Sequence, residues 1–142
     1  MGMLDSYIDE IVIGYRKQPF YELTPTAFCT FIASGKKYRT LVHYWTSMFF
    51  DDDFMRDWVR NQDTPQMAMS CAKKKGFIDF YQIDPKLIIY GIQEKFNQND
   101  NIRLVLLSTG SANIRYAGSN GFLSDNNRYG RLLMRVRKIY QE

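Results

Sequence analysis

The sequence predicts an α+β fold, and three observations carry that prediction. Apolar residues recur at helical spacing in several stretches, most of these stretches begin at a capping residue, and a Ser-Gly turn separates two β-like runs. At 142 residues the chain fits a single domain, 1–142, large enough for a real core.

The elements follow in order. Ile8–Tyr15 alternates enough to form a first strand, and Pro19–Pro25 reads as an irregular, aromatic-bearing segment. Thr26–Arg39 reads as a hairpin turning at Ser34-Gly35. Thr40 caps a helix over Leu41–Phe49, and Asp51–Asp53 caps the next, whose Phe54, Trp58 and Val59 share a face. Thr64-Pro65 and Asp84-Pro85 each pair a cap with a first-position proline. The first pair opens a helix ending near Gly76, and the second opens one carrying Leu87, Ile88, Ile92 and Phe96. A shorter helix over Asn101–Leu107, a strand over Ala112–Tyr116, a polar loop over Gly118–Asn126 and a last helix over Arg128–Tyr140 complete the series. Several helices around a small sheet result.

Composition narrows the function classes. Hydrophobic content of 45% with 24% charged residues is globular rather than disordered. The net charge of +4 mildly favours an anionic partner and falls short of identifying a nucleic-acid binder. One histidine with Cys29 and Cys71 does not furnish a structural zinc site, so neither metal nor cofactor is expected. No apolar stretch approaches membrane-spanning length, and Met1–Ser6 has no signal-peptide pattern. The expectation is a reduced, cytoplasmic compartment with both thiols free.

Thr40–Phe50 holds the lone histidine among aromatics and no acid. His43 could be a general base, a substrate clamp or a core residue with satisfied ring nitrogens. Glu22, between Tyr21 and Leu23, is either a buried acid with a raised pKa or an exposed loop acid. Arg128, Arg131, Arg135 and Lys138 form one basic stripe, able to hold phosphates or to serve as the solvated face opposite Leu132, Leu133, Val136 and Ile139. Lys73-Lys74-Lys75 complements a helix C-terminus, and Gly118-Ser119-Asn120-Gly121 could offer backbone donors to an anion. Asp125, Asn126 and Asn127 stand where they would cap the last helix.

Several blocks in order resemble the NADAR (YbiA-like) family. They are Pro19-Phe20-Tyr21-Glu22-Leu23-Thr24, Gly35–Thr40 with His43-Tyr44, Thr64-Pro65, Glu94-Lys95-Phe96, Leu106–Gly110, and Asn127-Arg128-Tyr129-Gly130-Arg131-Leu132-Leu133-Met134-Arg135-Val136-Arg137. The resemblance spans about Pro19 to Arg137. It implies a compact α+β fold and N-glycosidase chemistry on ADP-ribosylated targets or early riboflavin-pathway intermediates. Cleaving an N-glycosidic bond builds positive charge on the ribose, so a carboxylate is needed to stabilise it or to activate water. The chain departs from the family where that chemistry is expected. Val42 stands in place of a carboxylate, Phe49 in place of a lysine, Thr24-Pro25-Thr26 loses an amide, and an Asp-x-x-Trp-Gly element gives way to the short Gly118–Asp125 loop.

The resemblance leaves Thr24, His43, Tyr44, Thr109, Asn127 and Arg131 as ligand-binding candidates and Glu22 as the candidate relocated acid, with Asp125 behind it. Two functions are carried forward. One is a domain that binds an ADP-ribose- or NAD-related ligand, or a protein partner, after losing its usual catalysis. The other is an active N-glycosidase using Glu22. Nucleic-acid binding through the stripe is a third and weaker option. Divergence within a retained frame is compatible with a viral or other fast-evolving lineage.

Overall fold

The computed structural model describes residues 9–14, 19–77, 79–118 and 121–142. Met1–Ser6, the ends of the expected first strand at Ile8 and Tyr15, and Ser119-Asn120 of the glycine loop lie outside these residues. Among the described residues there are six α-helices and two separate two-stranded sheets. No helix among them is long and apolar enough to cross a membrane. The chain divides into two compact units, Met1–Thr24 with Asp100–Glu142, and Pro25–Asn99, the second inserted in sequence within the first.

The inserted unit begins with β2 (Phe31–Ala33) and β3 (Lys36–Tyr38), antiparallel with Phe31 opposite Tyr38. Ser34 and Gly35 both have positive φ, 51° and 79°, as a two-residue turn matched to strand twist requires. Helix α1 (Leu41–Ser47) is buried along its whole length and packs against α2 (Asp53–Arg60), α3 (Pro65–Lys74) and α4 (Pro85–Gln98). The four expected caps are present. Thr40, Asp52, Thr64 and Asp84 accept from the backbone N–H groups of His43, Met55, Met67 and Lys86 at 3.1, 2.8, 3.1 and 3.0 Å. Trp45 is fully buried, donates from Nε1 to the Ile88 carbonyl at 3.2 Å and meets Phe80 edge to face. Gly91 permits this approach of α1 to α4, since a Cβ there would stand 2.9 Å from Tyr44 Cδ2.

The face expected of Phe54, Trp58 and Val59 forms only in part, Val59 and Trp58 joining the cluster of Phe50, Ala68 and Cys71. Val59 is buried and Trp58 half-buried, but Phe54 is 81% exposed. Apolar spacing identifies a shared stripe, but in an eight-residue helix it does not determine which of its ends the neighbours cover.

In the other unit β1 (Glu10–Ile13) pairs in parallel with β4 (Asn113–Tyr116), Ile11 opposite Ile114. Helix α6 (Arg128–Gln141) packs on β4 and against α5 (Asp100–Ser108), with Tyr129, Leu133 and Val136 buried. Ile139, expected on the apolar face, is 54% exposed, and Arg137 occupies the buried position in its stead. Phe122 and Leu123 are buried, so the expected polar loop is partly core. The Tyr129 ring meets Tyr116 edge to face, and its hydroxyl donates to the carbonyl of Leu23 on the one-turn 3-10 helix Tyr21–Leu23.

Asn127 corrects the capping expectation. It precedes α6 with φ 53° but makes no side-chain cap. Its amide turns to β4 instead, Oδ1 accepting from the Tyr116 N–H and Nδ2 donating to the Ile114 carbonyl, both at 2.8 Å. Gly130 follows because a Cβ there would run into the Ile114 carbonyl and the Asn127 amide. Asn127→Gly keeps the left-handed backbone without steric cost but strands both β4 groups. We expect it to destabilise the chain by about 2–3 kcal/mol in denaturant unfolding, and a loss within a few tenths of zero would show that the amide bonds are dispensable.

Candidate functional site

Of the candidate residues, His43 and Tyr44 lie on α1 in the inserted unit. The His43 ring is fully buried. Nε2 lies 2.9 Å from the Gln62 carbonyl, which can only accept, so Nε2 carries the proton. Nδ1 then accepts from the Thr40 hydroxyl at 2.7 Å, while the same oxygen accepts the His43 backbone N–H. Arg39 Nη1 donates to the same Gln62 carbonyl at 2.9 Å. Burial, together with the charge of Arg39, pushes the imidazole below its usual pKa against the opposing effect of the Gln62 bond. A neutral ring with both nitrogens engaged ties the start of α1 to the α2–α3 connection, leaving no lone pair for proton transfer.

The rest of α1 offers no substitute. Val42 is 3% exposed and no carboxylate lies on the helix. Tyr44 sits among Phe31, Tyr38 and Tyr90, and its phenol is pushed up to about 12, first by burial and then by the neighbouring Tyr38 and Tyr90 phenols. Thr46 Oγ1 is the one buried side-chain N or O atom among the described residues without a hydrogen-bond partner.

The remaining candidates belong to the other unit. Thr24 is buried, its hydroxyl donating to the Tyr21 carbonyl at 2.7 Å, and Glu22 is half-buried on the same turn. Among the described residues Glu22 takes part in no ion pair. Thr109 is buried beyond the end of α5, donating to the Leu106 carbonyl at 2.6 Å and accepting from Arg137 Nη1 at 2.9 Å. Asn127 is engaged with β4. Arg131 is exposed, its Nε donating to the Asn126 carbonyl at 2.9 Å, and Asp125 is exposed.

The basic stripe is incomplete. Arg131, Arg135 and Lys138 are exposed, but Arg128 folds over the Phe122 ring at 4.3 Å and donates to its carbonyl. The residue that sequence reasoning passed over is Arg137, 7% exposed. Its signal was its place on α6, four residues after Leu133 and beside Val136, where a helix turns its apolar side inward.

Because the chain has one histidine, its stability near neutral pH reports on His43. The folded pKa lies below the unfolded value of about 6.5. The stability that a neutral ring contributes is therefore full above about pH 6.5 and is lost as pH falls toward the folded value, by up to about 1.4 kcal/mol per pH unit. Thermal unfolding from about pH 7.5 to about pH 5.5 should show this slope, and His43→Gln should flatten it. An unchanged slope in the variant would assign it elsewhere.

No family model matches the chain. It is 28% identical over 124 residues to a riboflavin biosynthesis protein of Vibrio vulnificus, covering 80% of this chain but only 34% of that relative's length. It is 26% identical over 114 residues to the N-glycosidase YbiA of Escherichia coli, covering 73% of this chain and 71% of the relative, and equally to the N-glycosidase YbiA of Shigella sonnei. The NMR structure of E. coli YbiA shares the fold with a TM-score of 0.78 at 21% sequence identity, over 94% of this chain and 85% of that one. The chain is thus similar in sequence to YbiA-like, or NADAR, proteins along most of its length and shares the YbiA fold.

Proposed function

We propose that the chain is a YbiA-like domain that binds an ADP-ribose- or NAD-related ligand, or a ribosylated partner, without the N-glycosidase turnover named for its relatives. The observation that carries this reading is the state of α1. Val42 stands where the family resemblance calls for a carboxylate, and the adjacent His43 has both ring nitrogens occupied. Neither can stabilise an oxocarbenium-like ribose or exchange a proton with water, and losing a catalytic acid typically costs about two to four powers of ten in rate. Excess positive charge and exposed Arg131 suit a phosphorylated ligand.

A second reading is favoured by Glu22, a half-buried carboxylate outside any ion pair among the described residues. In that reading Glu22 supplies the acid for cleavage of an N-ribosidic bond.

Calorimetry with ADP-ribose and with NAD, beside a ribose-release assay on an ADP-ribosylated substrate and a ribosylamino intermediate, separates the two. Binding without release above the uncatalysed background is expected, unchanged in Glu22→Gln. Release by the wild type that disappears in Glu22→Gln would establish the second reading, and absence of both binding and release would remove the first.

A further inference from the structure

Arg137 is the buried cation of α6, 7% exposed. Nη1 spends its two hydrogens on uncharged acceptors, Thr109 Oγ1 at 2.9 Å and the Ala112 carbonyl at 2.7 Å. None of the ion pairs among the described residues includes it. Thr109 and Ala112 follow the C-terminus of α5, whose carbonyls carry about half an elementary negative charge, too little to neutralise a guanidinium. Burial accordingly lowers the Arg137 pKa, yet an arginine stays protonated at neutral pH.

The way this charge is held sets what it can receive. The Thr109 hydroxyl hydrogen is committed to the Leu106 carbonyl, so its oxygen faces Arg137 as an acceptor. With Nη1 pinned on both hydrogens, the Nε–H and the coplanar Nη2–H remain. Among the described residues no protein group accepts from them. Those two donors form the side-on fork that matches two oxygens of a phosphate or carboxylate. Neither nitrogen is a fully buried orphan, so both keep contact with solvent.

We infer that the Arg137 fork is an oxyanion site that takes a phosphate group of a small anionic ligand, with Thr109 and the Ala112 carbonyl as the groups that position the guanidinium. Only the identity of the ligand carrying that phosphate rests on the reading above. The site itself is testable with inorganic phosphate.

The test is a titration of the full chain followed on arginine side-chain Nε–H resonances, with Arg137 assigned through its contacts with Thr109 and Ala112. Phosphate should move the Arg137 signal saturably, while chloride at equal ionic strength should not. Arg137→Lys keeps the charge but loses the fork, and should weaken phosphate binding about tenfold or more. Arg135→Gln, on the exposed side of the same helix, should leave binding unchanged. A static Arg137 resonance, an equal response to chloride, or loss of binding in Arg135→Gln would overturn the assignment. If Arg137→Lys fails to fold, the wild-type titration decides alone. A phosphate response without ADP-ribose or NAD binding would sink the ligand reading and leave the site standing.

Discussion

A two-stranded sheet has two outer edges, and an edge without partners is costly where buried and adhesive where exposed. Both units of this chain meet that constraint in the same way. In one, the Asn127 amide bonds to the Tyr116 N–H and the Ile114 carbonyl of β4. In the other, Gln98 at the end of α4 accepts from the Ile32 N–H and donates to the Ile32 carbonyl, both at 2.7 Å, and Asn99 donates to the Thr30 carbonyl. A single carboxamide carries the donor and acceptor that a third strand would supply. The position of α6 follows from it, since the helix begins at the residue after Asn127 and its first turn must be bare enough, at Gly130, to lie against the strand.

The parts of the fold legible in the sequence are those decided within a few residues. Caps at Thr40, Asp52, Thr64 and Asp84 act on N–H groups two or three positions away, and the Ser34-Gly35 turn is fixed by local backbone preference. Asn127 and Arg137 were harder to read because their partners are 11 to 28 residues distant in sequence. A short polar residue before a helix looks like a cap whichever way its amide turns. Phe54 and Ile139 show the converse, apolar residues in helical register that no neighbour covers.

The candidate site was legible in its residues more than in their roles. Thr24, His43, Thr109 and Asn127 are each held in hydrogen bonds that shape a turn, a helix start or a strand edge. Folding alone gives each of these residues a role. Val42, by contrast, is an apolar residue of the buried wall of α1.

Closing a sheet with a side chain also bears on self-association. A backbone strand added at Ile114 or Ile32 would present a fresh edge to the next molecule, and the ladder could propagate. A carboxamide ends the ladder, because nothing beyond its own oxygen and nitrogen continues the alternation of donors and acceptors. The exposed Ile32 that carries the Gln98 bonds would otherwise be an adhesive, strand-ready border. Asn127 and Gln98 therefore act as stoppers against edge-to-edge polymerisation as well as partners for their own strands.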